Sequence, residues 1–322
     1  MKGDSTLALL VPPILDVFVV WHPDEIGGSE RLDELHAHFH GPAYSGLAGG
    51  AVEVYGRSAP WEADGPPRPI DFDAPASTGV PAAQFKVIVP ILGAHMARAV
   101  SSDERWAEYI REIADRHEVG GVFPLRVGSF ELAETPLAGL IGEPQTLPPE
   151  CWKKPKVFVR ELCQAITQWI LRGSGESERI RVFVSHTKYR SLVEKEDSDG
   201  AVIYEKVRRE ILGTRLDNFF DAQAIQTGED WDPALEDQAA TSALLMIRTD
   251  HYAGRVWTQK EVFSAKRHGM PVVCMYALTG GEDRGSFLMD HVPTVPCDLS
   301  SPKSGIKAAL GRLVDECLKR AL

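Results

Sequence analysis

The stretch from Leu216 to Met270 constrains this chain more than any other. An apolar run, Leu216–Asp221, ends in a polar loop through Gly228. Asp232 then offers an N-cap and Pro233 a first helical position. A second apolar run, Ala243–Ile247, stops abruptly at Arg248-Thr249-Asp250. The next helix carries Trp257 and Glu261, closes at Gly269 and is followed by Pro271 and a third apolar run, Val272–Leu278. Short apolar runs alternating with helices are the mark of strands buried on both faces. That predicts an α/β fold with a parallel, doubly wound sheet.

In such a sheet, ligands bind just beyond the carboxyl ends of the strands. The residues at or just past those ends are Asp221, Arg248, Thr249 and Asp250. Trp257 and Glu261 are four apart and share a helix face near the same loops. An aromatic plane beside a carboxylate can stack a ring and hold a sugar. The same pair is also an ordinary half-buried helix face.

The N-terminal half repeats the alternation. Strands are expected at Ile14–Trp21, Ala51–Tyr55, Phe85–Leu92 and Val119–Val127, with Pro90 confined to an end or an edge of its strand. Helices are expected at Ser29–His40 and Glu104–His117, and the long Pro/Gly/Ala-rich stretch Ser58–Ala83 reads as a loop. A helix at Pro155–Leu171 matches one at Ser304–Leu322, the strand ending in His22 matches the one ending in His186, and the helix with Trp106 matches the helix with Trp257. The run Gly173-Ser174-Gly175-Glu176-Ser177-Glu178 is a linker by composition. The chain therefore divides into residues 1–173 and 179–322, two α/β domains in tandem. In the second, Glu194–Gly200 is an acidic loop and Ala201–Leu212 a helix.

A net charge of −11 argues against non-specific nucleic-acid or anionic-membrane binding. The apolar run Leu7–Val20 contains Pro12, Pro13 and Asp16, and reads as a core strand rather than a signal peptide or a membrane span. The five cysteines, Cys151, Cys163, Cys274, Cys297 and Cys317, show no CxxC spacing, which fits a reducing, cytoplasmic setting. GxGxxG after a strand, the Walker loop, HExxH and GxSxG are all missing. His36 and His40 share a helix face in HAHFH without an evident third ligand, so no metal is expected.

Three segments in order carry a resemblance. Val182-Phe183-Val184-Ser185-His186, then Phe219-Phe220-Asp221 with Gly228 and Trp231, then Tyr252, Trp257 and Glu261, resemble the TIR (Toll/interleukin-1 receptor) domain family over roughly Arg179 to Leu322. The first segment resembles the opening FxSH strand, the second the segment with the BB loop, and the third the segment holding the glutamate of catalytic TIR domains, with Thr249 in the place of a serine. The resemblance implies two tandem flavodoxin-like (TIR-like) domains. The first is degenerate, with Ile110 four residues after Trp106 where the second has Glu261, and is a scaffold, a regulator or a ligand-sensing module.

It also implies a NAD+ glycohydrolase cleaving the nicotinamide–ribose bond, with NAD+ as substrate and no cofactor. Glu261 is the expected catalytic residue. Trp257 and Tyr252 are expected to shape the ring pocket, and Ser185, His186, Thr249, Asp221 and Trp231 to line its mouth. Arg248 is expected either to meet the pyrophosphate or to pair with Asp250. Activity is expected to be switched on by self-association through TIR domains, by a partner protein or by an activating ligand, as in antiphage defence. Ala224 stands where many family members carry an acidic BB-loop residue, which bears on that assembly. The product is ADP-ribose, or a cyclic isomer if an internal hydroxyl intercepts the cation. A non-enzymatic TIR adaptor is the alternative, and a nucleotide sensor with Ser58–Ala83 as its lid is a third reading.

Overall fold

The computed structural model describes residues 13–45, 49–62, 64–71, 82–116, 121–141, 146–175, 179–187, 199–220, 239–282 and 290–322; for 199–201 and 217–220 it describes the backbone alone. Contacts divide the chain into two compact units, the boundary falling between Leu162 and Cys163. This point lies inside a helix that runs on to Gly173. The linker composition at Gly173–Glu178 marks where that helix ends.

The first unit contains β1 (Leu15–Val20), α1 (Gly28–Phe39), β2 (Val52–Arg57), β3 (Phe85–Leu92), α2 (Ala94–Ser102), α3 (Glu104–Asp115), β4 (Gly121–Val122), β5 (Leu125–Arg126), α4 (Pro136–Ile141) and α5 (Glu150–Lys153). Next comes α6 (Pro155–Gly173), in which the boundary falls. The sheet order is β2-β1-β3-β4, with β5 also on β3, and every pairing is parallel. Residues 15–20 pair on both sides, which explains why they are an almost unbroken apolar run. Phe18, Val20, Ile88, Trp106 and Ile110 belong to one buried apolar cluster.

Two expectations for this unit need correction. Pro90 lies neither at an edge nor at an end: β3 is central, and Pro90 pairs in register with Val20 of β1. The other side of β3 explains the tolerance. There the carbonyls of Ile88 and Leu92 accept from Phe123 and Val127, and Pro90 lies between them in the two-residue alternation. Its nitrogen, which has no proton to donate, therefore faces the break between β4 and β5. The expected single fourth strand is these two short pieces. Beyond these two, α2 is a helix not foreseen. It stops at Asp103, whose side chain accepts from the Arg105 N–H and caps α3.

The second unit contains β6 (Arg181–Ser185), α7 (Asp199–Leu212), β7 (Asp217–Phe220), β8 (Ala243–Arg248), α8 (Val256–Arg267), β9 (Val272–Tyr276), β10 (Thr294–Pro296) and α9 (Lys303–Ala321). The sheet order is β10-β9-β8-β6-β7, all parallel. Counted along the chain, this is second, first, third, fourth, fifth, the flavodoxin-like order of a doubly wound sheet. The first sheet follows the same order over its four strand positions. β10 was not foreseen: it is a three-residue edge strand with no apolar run, and an edge admits Pro296. The expected helix at Asp232 and the loop through Gly228 lie outside the described residues. No helix among the described residues is long and apolar enough to cross a membrane.

Candidate functional site

In the second sheet β6 and β8 are neighbours, and the chain leaves them toward opposite edges, from β6 to β7 and from β8 to β9. That is the switch point, where loops diverge and leave a crevice at the carboxyl ends. Ser185 is the last residue of β6 and lies two along from Phe183, so both face the same side of the sheet. Phe183 packs there in an apolar cluster with Leu244, Met246, Tyr252 and Val262. This same side receives α8.

The turn after β8 delivers Tyr252. Its N–H donates to the Thr249 carbonyl at 2.9 Å. Its own carbonyl accepts from the Thr258 hydroxyl at 2.6 Å, which ties the turn to the first turn of α8. Tyr252 is wholly buried. Glu261, on the second turn of α8, is only 8% exposed. Ser185 lies between them: its hydroxyl donates to Glu261 Oε2 and bonds the Tyr252 hydroxyl at 2.5 Å. A serine hydroxyl has one proton, and Ser185 commits it to the carboxylate. Tyr252 is therefore the donor to Ser185, and the three form a directed relay, Tyr252 to Ser185 to Glu261.

The electrostatics are unusual for a carboxylate. Burial pushes the Glu261 carboxyl up to about 7, and the hydrogen bond from Ser185 works in the opposite direction. Burial likewise pushes the Tyr252 phenol well above its ordinary value, with the Glu261 charge adding to it. Among the described residues, only Ser185 bonds the Glu261 carboxylate. A carboxyl that changes charge near neutrality, at a switch point, is a candidate acid–base or electrostatic group.

The remaining predicted residues fall in three places. Trp257 is at the surface of α8, half exposed, with the Arg255 guanidinium 5.7 Å from its ring centre. It shares the helix with Glu261, but Glu261 turns inward. The Tyr252 ring belongs to the core, and only its hydroxyl reaches the relay. Arg248 does not pair with Asp250. Its guanidinium forks onto Glu282 at 2.8 and 2.7 Å, with Asp290 at 3.4 Å. Asp250 accepts instead from the Thr279 N–H and hydroxyl and the Gly280 N–H, at 2.8 to 2.9 Å. An Arg fork on a carboxylate is a closed pair, so a pyrophosphate at Arg248 would have to displace Glu282.

Thr249 and Thr187 are both buried, with their hydroxyl oxygens 3.1 Å apart. The His186 ring stacks on Tyr204, centres 4.0 Å apart. Asp221 and Trp231 lie outside the described residues. Glu282, Asp290 and Thr187 were not foreseen. All three act on partners distant in sequence, and no local pattern marks them.

No protein-family model matches the chain, and no curated protein matches it.

Proposed function

We propose that the second unit is a NAD+ glycohydrolase whose working group is Glu261. The observation that carries the reading is the buried carboxyl at the switch point, held near neutrality and aligned by the Ser185–Tyr252 relay. The order of the FxSH-like strand, the Tyr252 turn and the Trp257/Glu261 helix supports it.

The chemistry needs one carboxylate. As the bond from ribose to nicotinamide breaks, its electron pair leaves with nicotinamide, which departs neutral and needs no proton. The ribosyl centre becomes oxocarbenium-like. Ionised Glu261 stabilises that positive charge and accepts from a ribose hydroxyl, in a site where low dielectric strengthens both effects. Water then adds and loses a proton, giving ADP-ribose; attack by an internal hydroxyl instead gives a cyclic isomer. Trp257 offers its exposed face to a ring. Activation by assembly or by a partner, of the kind used in antiphage defence, belongs to the same proposal.

The test is chromatography of NAD+ incubated with the protein at high concentration, beside Glu261→Ala. The expected loss in rate is on the order of 10²–10³ or more. A variant that consumes NAD+ as fast as the parent sinks the proposal, and the product peak separates hydrolysis from cyclisation.

Two observations favour a second reading, a TIR-like adaptor without turnover. Glu261 is packed rather than open, and α8 exposes Val256, Trp257 and Phe263. An apolar helix face in water suits self-association. An adaptor loses dimerisation on Phe263→Asp, read by light scattering, and is indifferent to Glu261→Ala.

A further inference from the structure

The carboxyl end of the first sheet holds a different cluster, independent of Glu261. β1 runs on into Trp21 and His22, and β3 into Gly93, Ala94 and His95. Two imidazoles thus leave neighbouring parallel strands at the switch point of this unit.

Their positions are built in. The Trp21 ring packs so closely over Gly28 that a Cβ there would fall 2.3 Å from it, which fixes the path of the chain after β1. The buried Glu25 carboxylate presses on Gly93 just as closely and accepts the His95 N–H at 3.1 Å. The Asp24 N–H donates to His22 Nδ1 at 3.2 Å. The His22 ring stacks with His95, centres 5.9 Å apart, and lies 5.2 Å from the ring of Trp106. One nitrogen from each imidazole and one Asp24 carboxylate oxygen all lie within 4.8 Å of one another. They open on a cavity of about 290 Å³.

We propose that His22, Asp24 and His95 bind a divalent transition-metal ion of the class that zinc represents. Two imidazoles and one carboxylate suit such an ion and leave a coordination position for water or an incoming ligand. Ligand atoms around a tetrahedral ion with bonds near 2.1 Å stand roughly 3.4 Å apart. The three ligand atoms, within 4.8 Å of one another, must draw in to that spacing when the ion binds. Arg98, on the cavity wall, sets its guanidinium on His95 Nδ1 at 3.0 Å. The same guanidinium nitrogen lies 3.4 Å from His95 Nε2, and the exposed Arg98 can swing into water when a dication takes its place. Within the HAHFH run, His36 and His40 gather no third ligand of this kind among the described residues.

The test uses tag-free, full-length protein stripped with a chelator. Zn²⁺ is titrated by calorimetry, and Co²⁺ by its visible absorption. One equivalent is expected to bind. His22→Ala and His95→Ala should each weaken binding at least tenfold and erase the Co²⁺ bands, because loss of even an outer partner of a ligand costs about 10–100-fold. Arg98→Ala removes a competing charge and should tighten binding several-fold. Absence of zinc binding overturns the proposal, as does binding that both histidine variants retain in full. Should those variants fail to fold, Arg98→Ala decides: tighter binding supports the site, and unchanged or weaker binding overturns it.

Discussion

The two sheets share strand order and differ in what they bury at the same position. Counting back from the end of the neighbouring strand, Ser185 pairs with Met246, two before Arg248, and Val20 pairs with Pro90, two before Leu92. Ser185 and Val20 therefore hold equivalent places. This shifts by one residue the alignment that His22 and His186 suggest in the sequence. In the second unit the position carries a hydroxyl bonded to Glu261 and Tyr252. In the first it carries a wholly buried valine, in one apolar cluster with Trp106 and Ile110. One fold thus accepts either an apolar core or a buried polar relay at its switch point. The relay sits in a low-dielectric place that costs stability, which is the expected signature of a group kept for chemistry.

The comparison breaks most readily at Ile110. Ile110→Glu puts an unpaired charge into the first core and should cost about 4 kcal/mol or more, read by urea denaturation. A variant as stable as the parent would mean that the first unit also has a polar pocket there. Next is Glu261→Gln. The folded carboxyl stands near 7, above its ordinary 4.5, so the fold prefers the protonated form. Its contribution is fully present below about pH 4.5 and is lost as pH rises through about 7. The amide should therefore stabilise the protein by about 3 kcal/mol at pH 8 and change it little at pH 4. A loss of stability at pH 8 would make Glu261 a structural residue.

Val20→Ser is a smaller test. It strands a hydroxyl and removes methyl contacts, for about 2 kcal/mol, while Ser185→Val should leave the second fold intact and remove the relay. The smallest effect is on pH dependence. The proposed turnover needs ionised Glu261, so its rate should rise with pH through about 7. Ser185 donates to the charged form, so Ser185→Ala should move that midpoint to higher pH. An unmoved midpoint would place the titration elsewhere.

Much of the fold was legible because buried strands cannot hide. The run Ala243–Ile247 is apolar throughout and Phe85–Leu92 is apolar but for Lys86, and β8 and β3 occupy them almost to the residue. β10 and the β4/β5 break were not legible: the first has no apolar signal, and the second turns on backbone hydrogen bonds around Pro90 and Pro124. At the site, Glu261 and Ser185 were picked out singly, as a helix residue and a strand end. Their bond to each other was not, since nothing local links positions 185 and 261. Position at the strand end points Arg248 to Asp250, its neighbour in the loop; Glu282 is its carboxylate partner because β9 and the turn after it return to the same strand end.

The α/β class, the repeated alternation and the residues at the strand ends follow from local sequence alone. Period and run length are local properties, and burial on two faces leaves no other composition for a strand. Which of those residues meet depends on the folding of distant segments onto one another, that is, on tertiary structure. It made Glu261 a buried acid near neutrality, closed Arg248 on Glu282, and brought His22, Asp24 and His95 together. Distances between strand ends are set by sheet order and register, and the charge state of a carboxyl by how much water the packing leaves it.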